Sequence, residues 1–173
     1  MAVENNDIQE KLTATFGAAV SNFHQDRDIF TLEITADVNT AVILFLKNDP
    51  ALRFHFLTDL CGVHYPKNTV DRQFAIVYHL HNWYDNKRIK IKAFINGDKP
   101  EIKSISKIFL SSNWMERETY DFYGVNFIGH PQLKRILNMD EMISFPMRKE
   151  FPLEDGGRTD KDDRFFGRTV DNC

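Results

Sequence analysis

Three acidic side chains that could do chemistry lie close together in this chain. Glu116, Glu118 and Asp121 occupy a stretch of about two helical turns, and paired carboxylates serve acid–base catalysis and bind hard metal ions. No histidine stands at ligand spacing beside them, and Arg117 lies where it can pair with Asp121 on a helix. Because ion-pair networks perturb carboxylates without catalysis, we interpret the cluster as structural or interface-forming. A free-standing enzyme using these carboxylates is the alternative from another class.

Histidines offer a second candidate site. His79 and His81 fall on one face of a predicted strand and could bind zinc with two further ligands. No cysteine pair supports such a site, and His55 and His64 have no predictable position beside them. We therefore predict that the chain holds no metal ion.

The cysteines and the known cofactor motifs point the same way. Cys61 and Cys173 are the two cysteines, whereas an iron–sulfur cluster uses four, and in a reducing cytoplasm we expect two free thiols. The sequence has no phosphate-binding glycine loop, no nucleophile elbow and no dinucleotide fingerprint. Because a redox enzyme needs a cofactor to carry electrons, we predict that this chain binds none.

A short helix must position the carboxylates. Asn113 is placed to cap its N-terminus, with Glu116 reaching back as the second member of a capping box. Gly124 fits its left-handed C-terminal end. Downstream, prolines interrupt regular structure while large apolar side chains continue, so the segment must lie on its own domain or on another chain. Those prolines are Pro131, Pro146 and Pro152, and the apolar residues are Phe127, Leu133, Ile136, Leu137, Phe145, Met147, Phe151 and Leu153.

The rest of the pattern predicts an α+β fold, a mostly antiparallel sheet with helices on one face, followed by an extended irregular C-terminal segment. Helices are expected at residues 6–16, from an Asp37 cap to about Asn48, and at 104–110; strands are expected at 29–35, 73–81 and 87–95. Residues 54–63 are interpreted as a helical turn and loop leading to an extended segment, with a full strand as the alternative. We expect a core domain at 1–124 and a subunit-docking segment and tail at 125–173.

Composition limits the function classes. The chain has 173 residues, 42% hydrophobic, with fifteen phenylalanines and a net charge of −3, which suits one domain and disfavours nucleic-acid binding. Its longest apolar run, residues 41–46, is far shorter than the roughly 20 residues that span a bilayer. The acidic start resembles no secretory signal. We expect a cytoplasmic protein, including the cytoplasmic face of a membrane.

Several blocks of the C-terminal third resemble one family, the C subunit or 30 kDa subunit of respiratory complex I, the proton-pumping NADH:quinone oxidoreductase. They are Glu116-Arg117-Glu118, Asp121-Phe122-Tyr123-Gly124, Gly129-His130-Pro131, Lys134-Arg135-Ile136-Leu137 and Pro146-Met147-Arg148-Lys149. The resemblance implies a non-catalytic peripheral-arm subunit on the cytoplasmic side of the inner membrane, touching the membrane only through the complex. It also implies the D, I and B subunits as neighbours, with FMN, iron–sulfur clusters, NADH and quinone on other subunits.

Within these blocks we expect docking roles rather than catalysis. Glu118, Asp121, His130, Arg135 and Arg148 are predicted to dock the C-terminal segment or its partner, with His130 anchoring a turn before Pro131. Arg135, Arg148 and Lys149 could bind phosphate, but salt bridges to a partner are favoured. For the tail at Arg164–Arg168 we consider two interpretations, a segment that becomes ordered on a partner subunit and a frayed terminus. The alternatives are the same scaffold in a membrane-bound hydrogenase or formate hydrogenlyase, and an adaptor unrelated to respiration.

Overall fold

The structure is a computed structural model, and it describes residues 3–151. The helices and strands are α1 Asn5–Phe16, β1 Val20–Asp26, β2 Ile29–Thr35, α2 Asn39–Asn48, β3 Phe56–His64, β4 Phe74–Asn82, β5 Lys87–Ile95, β6 Glu101–Lys103, α3 Ser112–Tyr123 and β7 Asn126–Ile128. Short 3₁₀ turns occupy Gly17–Ala19, Ala36–Val38 and Val70–Arg72. In this part of the chain, no helix is both long enough and apolar enough to cross a bilayer.

The main sheet has five strands in the order β1-β2-β5-β4-β3. Neighbouring strands run antiparallel except for β2 and β5, which are parallel, with Leu32 opposite Ile91. The α+β fold with a mostly antiparallel sheet is therefore confirmed. Strands β6 and β7 form a separate parallel pair that joins the chain before α3 to the chain after it.

The core lies on the sheet face that the helices cover. Alternation along β4 and β5 places one set of apolar side chains toward this core, as predicted for residues 74–80 and 89–95. The members are Phe74, Ile76, Tyr78, Leu80, Ile89, Ile91, Ala93 and Ile95, which pack with Ile8 and Leu12 of α1 and Val42, Ile43 and Leu46 of α2. The helices at 6–16 and ending near Asn48 and the strands at 29–35, 73–81 and 87–95 are confirmed within a residue or two.

Strand β3 corrects the first interpretation of residues 54–63 and confirms the alternative. The strand pairs with β4 from Phe56 opposite His81 to His64 opposite Phe74. A bulge between Leu57 and Asp59 shifts the register. The buried residues Leu57 and Leu60 therefore stand three apart, and this spacing imitates a helical turn in the sequence.

Two further local predictions are wrong. Asp37 is exposed within a 3₁₀ turn, and α2 begins after it with no side-chain cap. Residues 104–110 form turns rather than a helix. The Ser104 hydroxyl accepts the Ser106 N–H at 3.1 Å, and the Ile105 N–H donates to the Glu116 carboxylate at 2.7 Å, so both amides already have partners outside a helix.

Candidate partner-docking site

Helix α3 carries the predicted carboxylates, but its N-terminus is not capped as the sequence indicated. The helix begins at Ser112, and neither Asn113 nor Glu116 caps it. The end is as predicted: Gly124 adopts φ +72° and its N–H donates to the Tyr120 carbonyl at 2.8 Å. A Cβ at Gly124 would also lie 2.5 Å from the Phe145 ring, so this position requires glycine for space as well as conformation.

Asp121 is the centre of the contacts that hold the C-terminal segment, here residues 125–151. Its side chain is fully buried and accepts from Arg135 Nη1 at 2.7 Å and Asn138 Nδ2 at 3.0 Å. The backbone N–H groups of Ile136, Leu137 and Asn138 also donate to it, at 3.1, 2.8 and 2.9 Å. Burial alone would raise the pKa of Asp121, but the hydrogen bonds from the Asn138 and Leu137 amides, the Arg135 guanidinium and the Asn138 side chain hold it well below its usual range.

Arg135 contacts Asp121 of α3, the carbonyls of residues 142 and 144, and the Phe145 ring. Besides the Asp121 carboxylate, its guanidinium donates to the Asp121 carbonyl at 2.9 Å and to the Met142 and Ser144 carbonyls at 2.5 and 3.1 Å. Its charge also lies 5.0 Å from the centre of the Phe145 ring. Because these donors are occupied within the chain, the geometry does not favour a phosphate at Arg135.

Arg117 holds the same segment through different atoms. The predicted pair between Arg117 and Asp121 does not form; Arg117 instead donates to the Lys134 and Arg135 carbonyls, each at 3.1 Å, and lies 4.9 Å from the centre of the Trp114 ring. Arg117 and Asp121 each bind the C-terminal segment instead of each other. Their spacing of four residues in the sequence does not show these distant partners.

His130 and Glu116 join the turn at Gly129–Pro131 to the start of α3. His130 Nε2 contacts the Asn113 carbonyl at 3.1 Å, and Nδ1 accepts the Gln132 N–H at 3.0 Å. Glu116 is buried and accepts from the Ser104 hydroxyl at 2.5 Å, with His130 Nε2 3.9 Å away. Burial raises the pKa of Glu116, opposed by the hydrogen bonds that it accepts. Pro131 is exposed, and Gly129 adopts φ +83° with open space around it.

Arg148 and Lys149 fix the far end of the segment. Arg148 Nε donates to the Tyr123 carbonyl at 2.8 Å, and its guanidinium lies 5.1 and 4.9 Å from the ring centres of Phe74 and Phe145. The Lys149 N–H donates to His64 Nδ1 at 3.0 Å, whereas the residue as a whole is exposed.

Within residues 3–151, the remaining candidates lie apart from one another rather than in one catalytic or metal site. The Glu118 side chain is exposed and, among residues 3–151, makes no hydrogen bond or ion pair. It lines a cavity of about 330 Å³ with half-buried Cys61, whose pKa is raised by burial, Asp59 and Glu118. No group of three or more His, Cys, Asp or Glu side chains in the described part of the chain is arranged to hold a metal ion. Cys173 and the Arg164–Arg168 tail lie outside the described residues.

Several large apolar side chains of the segment are exposed, although Val125 and Phe127 lie in the core and Leu133 packs against it. Ile143 is 95% exposed, Met139 74% and Leu137 64%, and Leu110 just before α3 is 86% exposed. Large exposed apolar residues of this region are Leu110, Trp114, Ile128, Leu137, Met139, Ile143, Met147 and Phe151; we call this set the outer apolar residues. Isolated exposed apolar residues are ordinary, but this many in one region is typical of a partner site.

Three polar residues that complete these contacts were missed in the sequence. Ser104, Asn138 and His64 bind Glu116, Asp121 and the Lys149 amide across 12, 17 and 85 residues. No short motif links residues so far apart. The blocks of the resemblance could have pointed to Asn138, because it follows Leu137 directly.

Comparison with known proteins gives concordant matches. Residues 32–156 match the family described as respiratory-chain NADH dehydrogenase, 30 Kd subunit. The C 2 subunit of NADH-quinone oxidoreductase from Rhizobium meliloti (strain 1021) is 38% identical over 143 residues, 82% of this chain and 76% of that protein. The C subunit of the same enzyme from Roseiflexus sp. (strain RS-1) is 34% identical over 168 residues, 96% of this chain and 95% of that protein.

Two solved structures share the fold. One is the trypsin-resistant fragment (1-134) of Nqo5, with TM-score 0.61 and 23% identity over 75% of this chain and all of the fragment. The other is a chain of the membrane-bound sulfane sulfur reductase, an archaeal respiratory membrane complex, with TM-score 0.70 and 20% identity over 86% of this chain and 85% of that one.

Proposed function

Because this chain belongs to the family of the 30 kDa subunit of respiratory-chain NADH dehydrogenase, we propose that it is a structural peripheral-arm subunit of NADH-quinone oxidoreductase with no catalytic residue of its own. Its relatives are C subunits of that enzyme. The electrons would then pass from NADH to quinone through FMN and iron–sulfur clusters on other subunits. This chain would contribute by fixing the positions of its neighbours, for which we expect the D, I and B subunits, on the cytoplasmic side of the membrane.

The observation that carries this proposal is that the C-terminal segment is held by its backbone while several of its large apolar side chains are exposed. Asp121, Arg117, Arg135 and Arg148 bind backbone atoms of the segment or of α3, while the outer apolar residues face away from the core. A segment that exposes several large apolar side chains and whose backbone is held in place is prepared for a partner, since less conformational entropy is lost on binding. Within residues 3–151, this arrangement supports a docking segment that follows α3, with Val125 and Phe127 at its start still packed in the core.

The same geometry argues against a free-standing enzyme using Glu116, Glu118 and Asp121. Asp121 binds residues 135–138, Glu116 binds Ser104 and Ile105, and Glu118 is exposed without either set of partners. Each carboxylate therefore has a different environment. Hydrolysis or stoichiometric zinc binding by the purified chain would contradict a positional role. A hydrogenase-type assembly has less support, because the relatives named above are C subunits of NADH-quinone oxidoreductase.

Charged substitutions of the outer apolar residues test the proposal. We expect Ile143→Asp combined with Leu137→Asp to lower the amount of full-sized complex on native gels stained by NADH oxidation, because a buried unpaired carboxylate is costly at an interface. The isolated variant should unfold at the temperature of the unsubstituted chain, since both side chains are exposed. Leu44→Asp is the matched control, an exposed apolar residue on α2, and should leave assembly unchanged.

Two results would count against this role. Normal amounts of complex with normal activity would show that Leu137 and Ile143 contact no partner. A full-sized, normally abundant but inactive complex would instead point to a part in catalysis.

A further inference from the structure

His64, the last residue of β3, has an arrangement that the docking role does not explain. The residue is only 4% exposed, and its ring stacks on Phe74 with centroids 4.4 Å apart and planes inclined by 11°. Nδ1 accepts the Lys149 N–H, so the neutral ring must carry its proton on Nε2. Nε2 is buried, and within residues 3–151 it has no hydrogen-bond partner.

This contact requires a neutral ring. A protonated imidazole carries hydrogen on both nitrogens and can accept from neither, so Nδ1–H would oppose the Lys149 N–H. Burial lowers the pKa of His64; Glu150 raises it, and Arg148 and Lys149 lower it. Strand β4 faces the ring with uncharged Phe74. Of the charged groups in residues 3–151, those that affect the pKa of His64 lie at 148–150 and none lies on α3, which packs on β3.

We propose that His64 is a proton-sensitive latch, which holds the Lys149 main chain near the end of the C-terminal segment when neutral and releases that amide when protonated. The latch is separate from the contacts around Asp121. Because the pKa of that carboxyl is held far below its usual range, Asp121 stays ionised where histidine titrates and continues to hold residues 136–138. Mild acid thus frees the Lys149 amide, while the contacts around Asp121 and the hydrogen bond from Arg148 Nε to the Tyr123 carbonyl stay in place.

Hydrogen exchange of the full chain, corrected for intrinsic rates, tests the latch from about pH 7.5 to about pH 4.5. Loss of one hydrogen bond predicts a roughly five- to tenfold fall in protection of the Lys149 amide. The midpoint of that fall should match the His64 imidazole titration followed by NMR. The Leu137 and Asn138 amides, and those of β4, are internal controls that should keep their protection.

Two variants distinguish the role of the hydrogen-bond acceptor from that of the stacked ring. His64→Asn places an amide oxygen near the position of Nδ1 and should protect Lys149 at every pH in the range. His64→Phe keeps the stacking and lacks an acceptor, so Lys149 should be unprotected throughout. Wild-type protection that does not change with pH, a midpoint different from that of His64, or the same fall in His64→Asn would each overturn the proposal.

Discussion

Replacing Asp121 with asparagine tests whether one buried carboxylate holds the C-terminal segment. Asparagine keeps the shape of the side chain but removes its charge and turns one acceptor oxygen into an NH₂ donor. Both carboxylate oxygens are in use in the structure, Oδ1 by Arg135 and Asn138 and Oδ2 by the backbone N–H groups of residues 136–138. The Asp121→Asn change therefore leaves either the guanidinium or the amides without an adequate acceptor.

The size of the effect follows from burial. The Asp121 side chain is 0% exposed and that of Arg135 7%, and removing one partner of a buried ion pair costs about 3–5 kcal/mol. Whole domains are stable by about 5–15 kcal/mol. The core between the sheet and the helices α1 and α2 does not include Asp121, so we expect the segment to open locally while the sheet stays folded.

Hydrogen exchange distinguishes local opening of the segment from unfolding of the sheet. In Asp121→Asn, protection of the Ile136, Leu137 and Asn138 amides should fall by at least about a hundredfold, as about 3 kcal/mol implies. Protection of the β4 and β5 amides should stay within a few fold. Glu118→Gln is the matched control, because this carboxylate lies on the same helix, is exposed and has no partner among residues 3–151; it should cost less than about 0.5 kcal/mol.

The pH dependence gives an independent check on the same carboxylate. The pKa of Asp121 is lower in the folded chain than its ordinary value of 3.8, so its contribution is complete above that value and is lost as pH falls toward the folded pKa. The wild-type Leu137 and Asn138 amides should therefore lose protection only in strong acid, whereas those of the variant lack it throughout. Unchanged protection of residues 136–138 in Asp121→Asn would refute the reasoning.

Two further predictions concern the end and the interior of α3. Gly124→Ala should destabilise the chain by more than the roughly 1–2 kcal/mol of left-handed strain alone, since its Cβ would meet the Phe145 ring at 2.5 Å. Gly129→Ala, with φ +83° and nothing within 4 Å, should show the strain alone when urea midpoints are compared, and equal effects would contradict the role of Phe145. The pKa of Glu116 is higher in the folded chain than its ordinary value of 4.5. Ionisation of Glu116 therefore lowers the stability of the fold as pH rises above 4.5. In Glu116→Gln, the difference in unfolding free energy from wild type should therefore move in favour of the variant between about pH 4.5 and about pH 7; a difference that is constant with pH would contradict this.

The sequence predicted the elements whose pattern is local. Strands β4 and β5 alternate without interruption, and the two ends of α1 lie within a residue of the prediction. Strand β3 was first interpreted otherwise because its bulge sets Leu57 and Leu60 at a helical spacing. Its partner, β4, decides its conformation, and this partner is not visible in the local pattern.

Predictions for the docking site failed where a local partner competed with a distant one. Glu116 had a capping role available three residues back, and Arg117 had Asp121 four residues ahead. In the fold, Glu116 binds Ser104 and Ile105, and Arg117 binds carbonyls beyond the turn at His130. Buried charged groups select partners that also satisfy buried backbone atoms, and only the folded chain brings those atoms near. The docking of these residues on sister subunits stays a prediction.

The way in which the C-terminal segment is attached also affects how the protein can evolve. Its fixed contacts are made largely to main-chain amides and carbonyls, which every residue type except proline supplies in the same form. In the proposed docking role, substitutions at Leu137, Met139 or Ile143 can therefore alter what this surface contacts without weakening the contacts that hold the segment. A lineage could remodel this contact to follow mutations in a neighbouring chain while the supporting framework is inherited intact.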